Sequence, residues 1–310
     1  MARPRNRNHR HPGRVLVVGC GISGESVAIR LLGEGVEVTV SDRRPLDTLG
    51  PAADRIRRLG GRLETGGHRI ETFLDHDFIV ISPGVPGNLS VLAEARRRGT
   101  RIISEVEFAF SYLQGEVIGI TGTNGKSTTT ALLGAILARA GKRVTVCGNI
   151  GVPLTAALEK DGPDVIHCCE LSSFQLEGID AFCPKVAVLL NLHPDHQNRY
   201  TRFSDYADAK GKIFANQGPL DHAVLNASDP AVLRFRKTLR CRVHVIDSQR
   251  MPSGDGAGVD NGTLCLRRDG ILEPILRSEE IPLPGGHNRE NVLACIVSAG
   301  IVGAEVESIR

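Results

Sequence analysis

The stretch Gly119-Ile-Thr-Gly-Thr-Asn-Gly-Lys-Ser-Thr128 decides how this 310-residue chain is expected to fold. Its central loop, residues 122–125, follows an apolar, strand-like run at residues 117–121 and precedes a long helical run at about residues 126–140. Glycines let the backbone turn successive N–H groups toward phosphate oxygens, and a helix start adds the positive end of its dipole. The Gly-Lys-Ser ending between a strand and a helix therefore predicts a P-loop. Lys126 is expected to reach the β- and γ-phosphates of ATP, and the Ser127 hydroxyl to ligate Mg²⁺.

Alternation of strands and helices continues on both sides of this loop. We predict an α/β fold with a Rossmann-like first domain at residues 14–114 and a P-loop ATPase-type domain with a mostly parallel sheet at residues 115–310. Residues 248–262, which are rich in Gly, Asp and Ser, are predicted to form a surface loop. The strand-like runs on either side of Arg268-Asp269-Gly270 predict a hairpin.

Composition is typical of a globular protein, with 41% hydrophobic and 24% charged residues. No apolar run approaches the length of a membrane helix, and the N-terminus lacks a secretory signal, so we expect a cytoplasmic protein without membrane insertion. The net charge is +3, and residues 1–13 are predicted to be a disordered basic tail rather than a nucleic-acid-binding arm. The eight cysteines have no metal-site spacing, and we expect free thiols.

A second glycine-rich loop, Gly19-Cys-Gly21-Ile-Ser-Gly24, lies between a predicted strand and a predicted helix. Asp42 ends the next strand, 18 residues after Gly24. Alone, this GxGxxG pattern would indicate NAD binding, with Asp42 on a ribose hydroxyl. An NAD-dependent oxidoreductase therefore stays open as an alternative, although it would leave the P-loop unexplained.

The shortened P-loop resembles that of the Mur ligase family and of its relative, folylpolyglutamate synthase. Further segments resemble the same family: Gly148-Asn149-Ile150-Gly151, then Glu-Leu-Ser-Ser-Phe-Gln-Leu-Glu at residues 170–177, then Asn191-Leu-His-Pro-Asp-His196 with Lys210 fourteen residues later. Residues 170–177 are typical of the member that adds D-glutamate to UDP-N-acetylmuramoyl-L-alanine. The resemblance implies a monomeric ligase, with no nucleic-acid partner, that uses ATP to activate a carboxylate as an acyl phosphate, which an amine attacks.

The resemblance also implies roles for individual residues. Catalytic roles would fall to Lys126, Glu170, His196 and Lys210. The Mg²⁺ ligands would be Ser127, Glu170, His196 and Lys210, the last as a carbamate formed with CO₂. ATP contacts would come from Gly122, Thr123, Asn124, Gly125, Lys126, Ser127, Thr128, Thr129, Asn149, Asn288 and Asn291. The amides of Asn288 and Asn291 resemble those of the family that contact the adenine base. Contacts to the UDP end of the substrate would come from Gly21, Ile22, Ser23, Asp42, Arg44, Ser82, Pro83 and Gly84.

Several of these residues also have purely structural interpretations. From spacing alone, Lys210 would be a solvated helix lysine, Glu170 a helix cap or surface acid, and Asn288 a helix N-cap. His193 has no family role that we can assign. Asn198 stands where the family usually carries an acid, which weakens any role for a charge there.

The family has a third domain that binds the amino acid, and we expect it to be absent from residues 1–310. We therefore expect the chain to be incomplete and inactive alone. The alternatives are a non-catalytic nucleotide-binding fragment and another Mur-type or folylpolyglutamate-type ligase.

Overall fold

A computed structural model describes residues 13–282 and 285–310. The predicted basic tail, apart from Gly13, lies outside the described residues. The chain forms two compact units, and neither is a single stretch of sequence. The first contains the residues up to Leu113 with Val152–Glu159 and Phe174–Phe182, and the second contains Gln114–Gly151, Lys160–Ser173 and Cys183–Arg310.

The first unit is built on a parallel sheet, which in the described residues has five strands in the order β3-β2-β1-β4-β5. The strands are β1 Arg14–Val18, β2 Glu37–Asp42, β3 Arg62–Thr65, β4 Phe78–Ile81 and β5 Arg101–Ser104. The helices that follow them are α1 Ile22–Gly33, α2 Pro51–Arg58, α3 Ile70–Leu74, α4 Ser90–Arg97 and α5 Glu105–Tyr112.

Both faces of this sheet are buried, which explains why its strands are almost continuously apolar. Val15 and Val17 of β1 pack on one face with Leu31 of α1. Leu16 and Val18 pack on the other face with Phe73 and Leu92. Each fully buried aliphatic side chain of this kind contributes roughly 1.5–3 kcal/mol, so the alternation along β1 holds helices on both sides.

The second unit is built on a sheet of nine described strands in the order β14-β13-β12-β11-β10-β9-β6-β8-β7. The strands are β6 Glu116–Thr121, β7 Arg143–Gly148, β8 Val165–Glu170, β9 Val186–Leu189, β10 His222–Asn226, β11 Arg242–Asp247, β12 Gly256–Asp260, β13 Thr263–Arg268 and β14 Ile271–Arg277. The helices of the second unit are α6 Lys126–Arg139, α9 Phe203–Gly211, α10 Pro230–Leu233, α11 Gly286–Ile301 and α12 Val306–Ile309. Two further short helices, α7 Leu154–Ala157 and α8 Ser173–Glu177, cluster with the first unit apart from Ser173.

Strands β6 to β12 run parallel, and the predicted hairpin of β13 and β14 extends the sheet with antiparallel pairs. Ile118 and Ile120 of the central β6 are fully buried in one core with Leu133 of α6 and Leu293 of α11. The predicted α/β fold class, with its mostly parallel second sheet, is confirmed.

The prediction of a surface loop at residues 248–262 is wrong in part, because β12 lies within it. β12 pairs with β11 on one side and with β13 on the other, and Gly256 to Gly258 are buried. A Cβ at Gly256 would collide with the Val245 carbonyl, and one at Gly258 with the Arg250 carbonyl. The glycines that suggested a loop are therefore needed inside a strand, because neighbouring backbone lies too close to leave room for a side chain.

Candidate functional site

The P-loop lies between β6 and α6, at the carboxyl edge of the second sheet. Gly122 and Gly125 have positive φ angles of 155° and 82°, which L-residues with side chains rarely adopt. The helix begins at Lys126 directly after Gly125. The Lys126 ammonium donates a hydrogen bond to the Thr123 carbonyl at 2.8 Å, so it folds back over the loop that it is predicted to serve.

A carboxylate faces the helix start from the end of β8. The Ser127 hydroxyl donates to Glu170 Oε2 at 2.7 Å, and the Asn149 amide donates to Glu170 Oε1 at 2.8 Å. Glu170 is only 1% exposed, which argues against a surface acid. A serine hydroxyl and a carboxylate are hard oxygen donors of the kind that Mg²⁺ prefers, so Ser127 and Glu170 would suit a magnesium ion.

Lys210 lies beneath the loop on α9 and is only 2% exposed, so it is not a solvated helix lysine. Its Nζ donates to the Gly122 carbonyl at 2.8 Å and lies 3.4 Å from Thr121 Oγ1. Burial lowers the pKa of Lys210 to about 7, and the positive charge of Lys126 acts in the same direction. A large fraction of this side chain is therefore a neutral, nucleophilic amine near pH 7.

His196 lies in the connection between β9 and α9 and has a positive φ of 51°. The centre of its ring lies 6.1 Å from the centre of the Tyr206 ring. Lys210 Nζ lies 4.9 Å from the centre of the same Tyr206 ring. Tyr206 thus contacts both residues for which the family resemblance implies a second metal site. Within the described residues, no group of three or more His, Cys, Asp or Glu side chains is arranged to hold a metal ion by itself.

Asn191 fixes the tip of the P-loop, a role that the sequence did not reveal. Its side-chain oxygen accepts from the Asn124 N–H at 2.8 Å, and its amide donates to the Asn124 carbonyl at 3.1 Å. The Asn191 carbonyl also accepts from the Thr123 N–H at 2.9 Å. One feature of the sequence could have indicated this role: Asn191 comes just after a buried strand that pairs with β6. The carboxyl ends of neighbouring parallel strands lie at the same edge of a sheet.

The other predicted ATP contacts have different environments. Asn291, at the start of α11, packs so closely on the loop that a Cβ at Gly125 would collide with its side chain. The Asn291 amide donates to Asn288 Oδ1 at 3.1 Å. Thr128 is half-buried, whereas Thr129 is fully buried in the unit. The Thr129 side chain therefore faces the interior rather than the loop surface.

The glycine-rich loop of the first unit follows β1, the strand from which the strand order proceeds in both directions across the sheet. The strand order places β2 and β3 on one side of β1 and β4 and β5 on the other, which creates a crevice at the carboxyl ends of β1 and β4. Gly21 precedes the first residue of α1, and Ile22 is 71% exposed. Gly24 lies against the Gly19 carbonyl, with no room for a Cβ. Ser23 is the second residue of α1 and is partly buried.

Asp42 organises the floor of this crevice. Its Oδ2 accepts from the Cys20 N–H at 2.6 Å, and its Oδ1 accepts from the Arg44 N–H at 2.9 Å and from Arg44 Nε at 3.0 Å. Burial acts to raise the pKa of Asp42, but the hydrogen bonds from Arg44 and Cys20 outweigh it and hold the pKa below its usual value. The carboxylate is therefore charged and holds the Gly-rich loop and Arg44 together.

The Ser82-Pro83-Gly84 turn follows β4 and closes the other side of the crevice. The Ser82 hydroxyl donates to the Gly19 carbonyl at 3.0 Å, and the Val85 N–H closes the turn on the Ser82 carbonyl at 3.0 Å. The predicted residues of the first unit thus lie on two loops at one edge of its sheet. No helix among the described residues is both long enough and apolar enough to span a bilayer.

Two family models match the chain. The model of the Mur ligase middle domain matches residues 120–299. The model of the MurD-like N-terminal domain of Mur ligases matches residues 13–104. The first match contains the P-loop, Glu170 and Lys210, and the second contains the glycine-rich loop and Asp42.

Several curated proteins with similar sequences share one name. UDP-N-acetylmuramoylalanine–D-glutamate ligase of Acidobacterium capsulatum is 44% identical over 299 residues, and that of Pelotomaculum thermopropionicum is 39% identical over 296 residues. Each alignment covers 96% of this chain and 65% of the relative, so the chain spans about two thirds of the length of these proteins.

Solved structures share the fold at lower identity. A UDP-N-acetylmuramate:L-alanyl-gamma-D-glutamyl-meso-diaminopimelate ligase from Neisseria has a TM-score of 0.62 at 20% identity and covers 96% of both chains. UDP-N-acetylmuramate-alanine ligase of Thermotoga maritima has a TM-score of 0.54 at 20% identity and covers 96% of this chain and 66% of its own. The middle-domain model matches more than half of the residues of this chain. The chain therefore belongs to the Mur ligase family.

Proposed function

We propose that the chain carries the substrate-binding and ATP-binding parts of a ligase that joins D-glutamate to UDP-N-acetylmuramoyl-L-alanine. The observation that carries the proposal is the hydrogen-bonded set of Ser127, Glu170 and Asn149 at the mouth of the P-loop. The names of relatives at 36–44% identity support the choice of substrates. All eight cysteines are free thiols, which supports a cytoplasmic location.

In the proposed reaction, a carboxylate oxygen of the L-alanyl group attacks the γ-phosphorus of ATP, and ADP leaves. The D-glutamate amine then attacks the activated carbonyl carbon, an amide bond forms, and phosphate leaves. P-loop N–H groups and Lys126 would hold the phosphates in line, while Ser127 and Glu170 would hold Mg²⁺. Bound Mg²⁺ supplies charge neutralisation at the phosphates. The work of the protein is therefore positioning and electrostatic stabilisation.

The proposal includes a carbamate on Lys210 that shares a second Mg²⁺ with His196. A lysine ammonium repels a cation, whereas a carbamate offers anionic oxygens. Its formation needs a neutral amine, and the lowered pKa of the buried Lys210 supports that requirement. The hydrogen bond from Lys210 Nζ to the Gly122 carbonyl holds the side chain directly below the P-loop, where such a ligand would be needed.

In the first unit, we propose that the crevice beside Asp42 binds the UDP end of the substrate. Diphosphate oxygens would lie on N–H groups at the start of α1, near Gly21, Ile22 and Ser23. Asp42, Arg44 and the Ser82-Pro83-Gly84 turn would contact the uridine. An NAD-dependent oxidoreductase is the competing interpretation of the same crevice, and a ligand test separates the two.

Calorimetry with the 310-residue chain tests the ATP-binding role. We expect Mg·ATP to bind the wild type and Lys126→Ala to weaken binding about tenfold or more, because a charge-assisted contact to phosphate is lost. Lys160→Ala removes an exposed lysine of the same unit and is expected to leave the affinity unchanged. Equal affinity of wild type and a folded Lys126→Ala protein would refute the assignment.

A further inference from the structure

Glu290 lies in the second turn of α11, the helix whose Asn288 and Asn291 are the proposed contacts for adenine. No role was assigned to it from the sequence. Its Oε2 accepts a hydrogen bond from the Asn226 amide at 2.9 Å, and its Oε1 accepts one from the Ser248 hydroxyl at 3.4 Å. Asn226 ends β10 and Ser248 follows β11, so one carboxylate connects the helix to the ends of two strands.

The Asn226 side chain continues this connection toward the P-loop. Its amide also donates to the Leu190 carbonyl at 3.0 Å, and its oxygen accepts from the Ser228 N–H at 3.0 Å. Leu190 is followed by Asn191, whose side chain is paired with Asn124 of the P-loop. Asn226 is 1% exposed, so its hydrogen bonds are shielded from competition with water.

These contacts close a ring of interactions around the base of the loop. One side runs from Asn124 to Asn191, along the backbone to Leu190, and through Asn226 to Glu290. The other side runs along α11 from Glu290 to Asn291, which packs directly on Gly125. Gly285, the N-cap residue of α11, supplies no side-chain hydrogen bond, so the contacts of Glu290 anchor this end of the helix through a side chain that the cap does not provide.

We infer that Glu290 is a positioning residue, which with Asn226 holds the start of α11 against the P-loop and so orients the Asn288–Asn291 amide pair toward the adenine base. This inference rests on the ATP-binding role proposed above. An amide pair distinguishes donors from acceptors on a base edge only when its orientation is held. Loss of the Glu290 contacts therefore affects recognition of the base more than recognition of the phosphates.

Base discrimination measures this effect. Mg·ATP and Mg·ITP carry the same phosphates but differ at the 6-position of the purine, where an amino group is replaced by an oxygen. Calorimetry should show that the wild type prefers ATP. In Glu290→Ala we expect ATP binding to weaken about tenfold, as for a lost hydrogen bond to a charged group, with a much smaller change for ITP. The ATP-to-ITP preference should therefore approach one.

Other variants distinguish loss of the positioning contacts of Glu290 from a general loss of structure in the second unit. Glu290→Gln keeps an oxygen acceptor for Asn226 and should stay within about twofold of the wild type. Ser248→Ala removes the longer hydrogen bond and should produce a smaller change in the same direction, which serves as the test if Glu290→Ala fails to fold. Glu116→Ala removes an exposed glutamate at the start of β6, the opposite edge of the sheet, and should change neither affinity.

Three results would overturn the inference: an unchanged ATP affinity in folded Glu290→Ala, an equal loss for ATP and ITP, or a wild type without base preference. Failure of the proposed function looks different, because the wild type itself would then not bind Mg·ATP. A wild type that binds ATP beside an unaltered Glu290→Ala protein would reject the positioning role alone.

Discussion

Lys210 shows how strongly burial changes the chemistry of one side chain. An exposed lysine on a helix has a pKa near 10.4 and is an ammonium ion at neutral pH. At 2% exposure beside Lys126, the pKa of Lys210 falls to about 7, because desolvation and a like charge both disfavour the protonated form. The spacing of residues in the sequence did not indicate this environment. The buried site of Lys210 is formed in part by Gly122, which lies 88 positions earlier in the chain.

We predict that Lys210 forms a carbamate whose amount rises between pH 6 and pH 8. CO₂ reacts with the neutral amine, and the neutral fraction grows as the pH passes through the pKa of about 7. With ¹³C-labelled CO₂ held at a constant dissolved concentration, NMR should show a carbamate carbonyl signal in the wild type and none in Lys210→Ala. Lys212→Ala, which changes an exposed neighbour, should retain it. A signal that survives in Lys210→Ala would assign the carbamate elsewhere.

At the scale of elements, patterns local in sequence predicted the structure well, and contacts distant in sequence were missed. The P-loop strand and helix and the hairpin of β13 and β14 each depend on a few consecutive residues, and these elements are present. β12 was missed because its glycines are explained only by the Val245 and Arg250 carbonyls that approach them. Asn191 and Glu290 act across 67 and 64 positions, so no local pattern indicates their partners.

Strands β10 and β11 bring two histidines together, at the first residue of β10 and the third residue of β11. His222 Nδ1 lies 2.9 Å from His244 Nε2, and the rings are stacked. Burial lowers the pKa of His222 to about 4, and His244 contributes in the same direction. Other nearby charges are Lys185 and Arg242, which lower the pKa, and Asp221, which raises it. Both rings are therefore neutral in the folded protein near pH 7, and one donates to the other.

This pair predicts a loss of stability in mild acid. The unfolded chain binds a proton near pH 6.5, whereas folded His222 does so only near pH 4, so stability falls as the pH drops from 6.5 toward 4. Between pH 7 and pH 5 we expect a loss of about 1 kcal/mol, after allowance for solvent screening at this half-buried site.

Urea unfolding of the second unit at pH 7 and pH 5 measures this loss. His222→Gln should show a smaller pH dependence than the wild type, because the residue that takes up the proton on unfolding is gone. His287→Gln changes an exposed histidine and should behave as the wild type. An identical pH dependence in His222→Gln would show that other groups cause the acid sensitivity.

At the scale of the whole molecule, each proposed site is built within one unit. The glycine-rich loop, Asp42, Arg44 and the Ser82 turn belong to the first unit. The P-loop, Asn149, Glu170, Lys210 and Glu290 belong to the second, even though the chain passes between the units several times. Composition and strand alternation predicted two α/β domains, but they did not predict that residues 152–159 and 174–182 would cluster with the first unit.

Because each site lies within one unit, we predict that a substitution can weaken binding of the UDP substrate without changing binding of Mg·ATP, and the reverse. Asp42→Asn keeps the size of the side chain but removes the charge that holds Arg44 and the Cys20 N–H, so the floor of the first crevice should loosen. We expect binding of UDP-N-acetylmuramoyl-L-alanine to weaken about tenfold, with Mg·ATP affinity unchanged. Lys126→Ala should do the reverse, because its contacts lie entirely in the second unit.

Saturation-transfer NMR for the UDP substrate and calorimetry for Mg·ATP, on both variants, complete the test. NADH serves as the competing ligand, since the same glycine-rich loop would bind a dinucleotide in an oxidoreductase. A crevice for UDP predicts a signal from the UDP substrate and none from NADH in the wild type. NADH binding that Asp42→Asn abolishes would instead assign the first unit to a dinucleotide. Loss of both ligands in either folded variant would show that the two sites do not act independently.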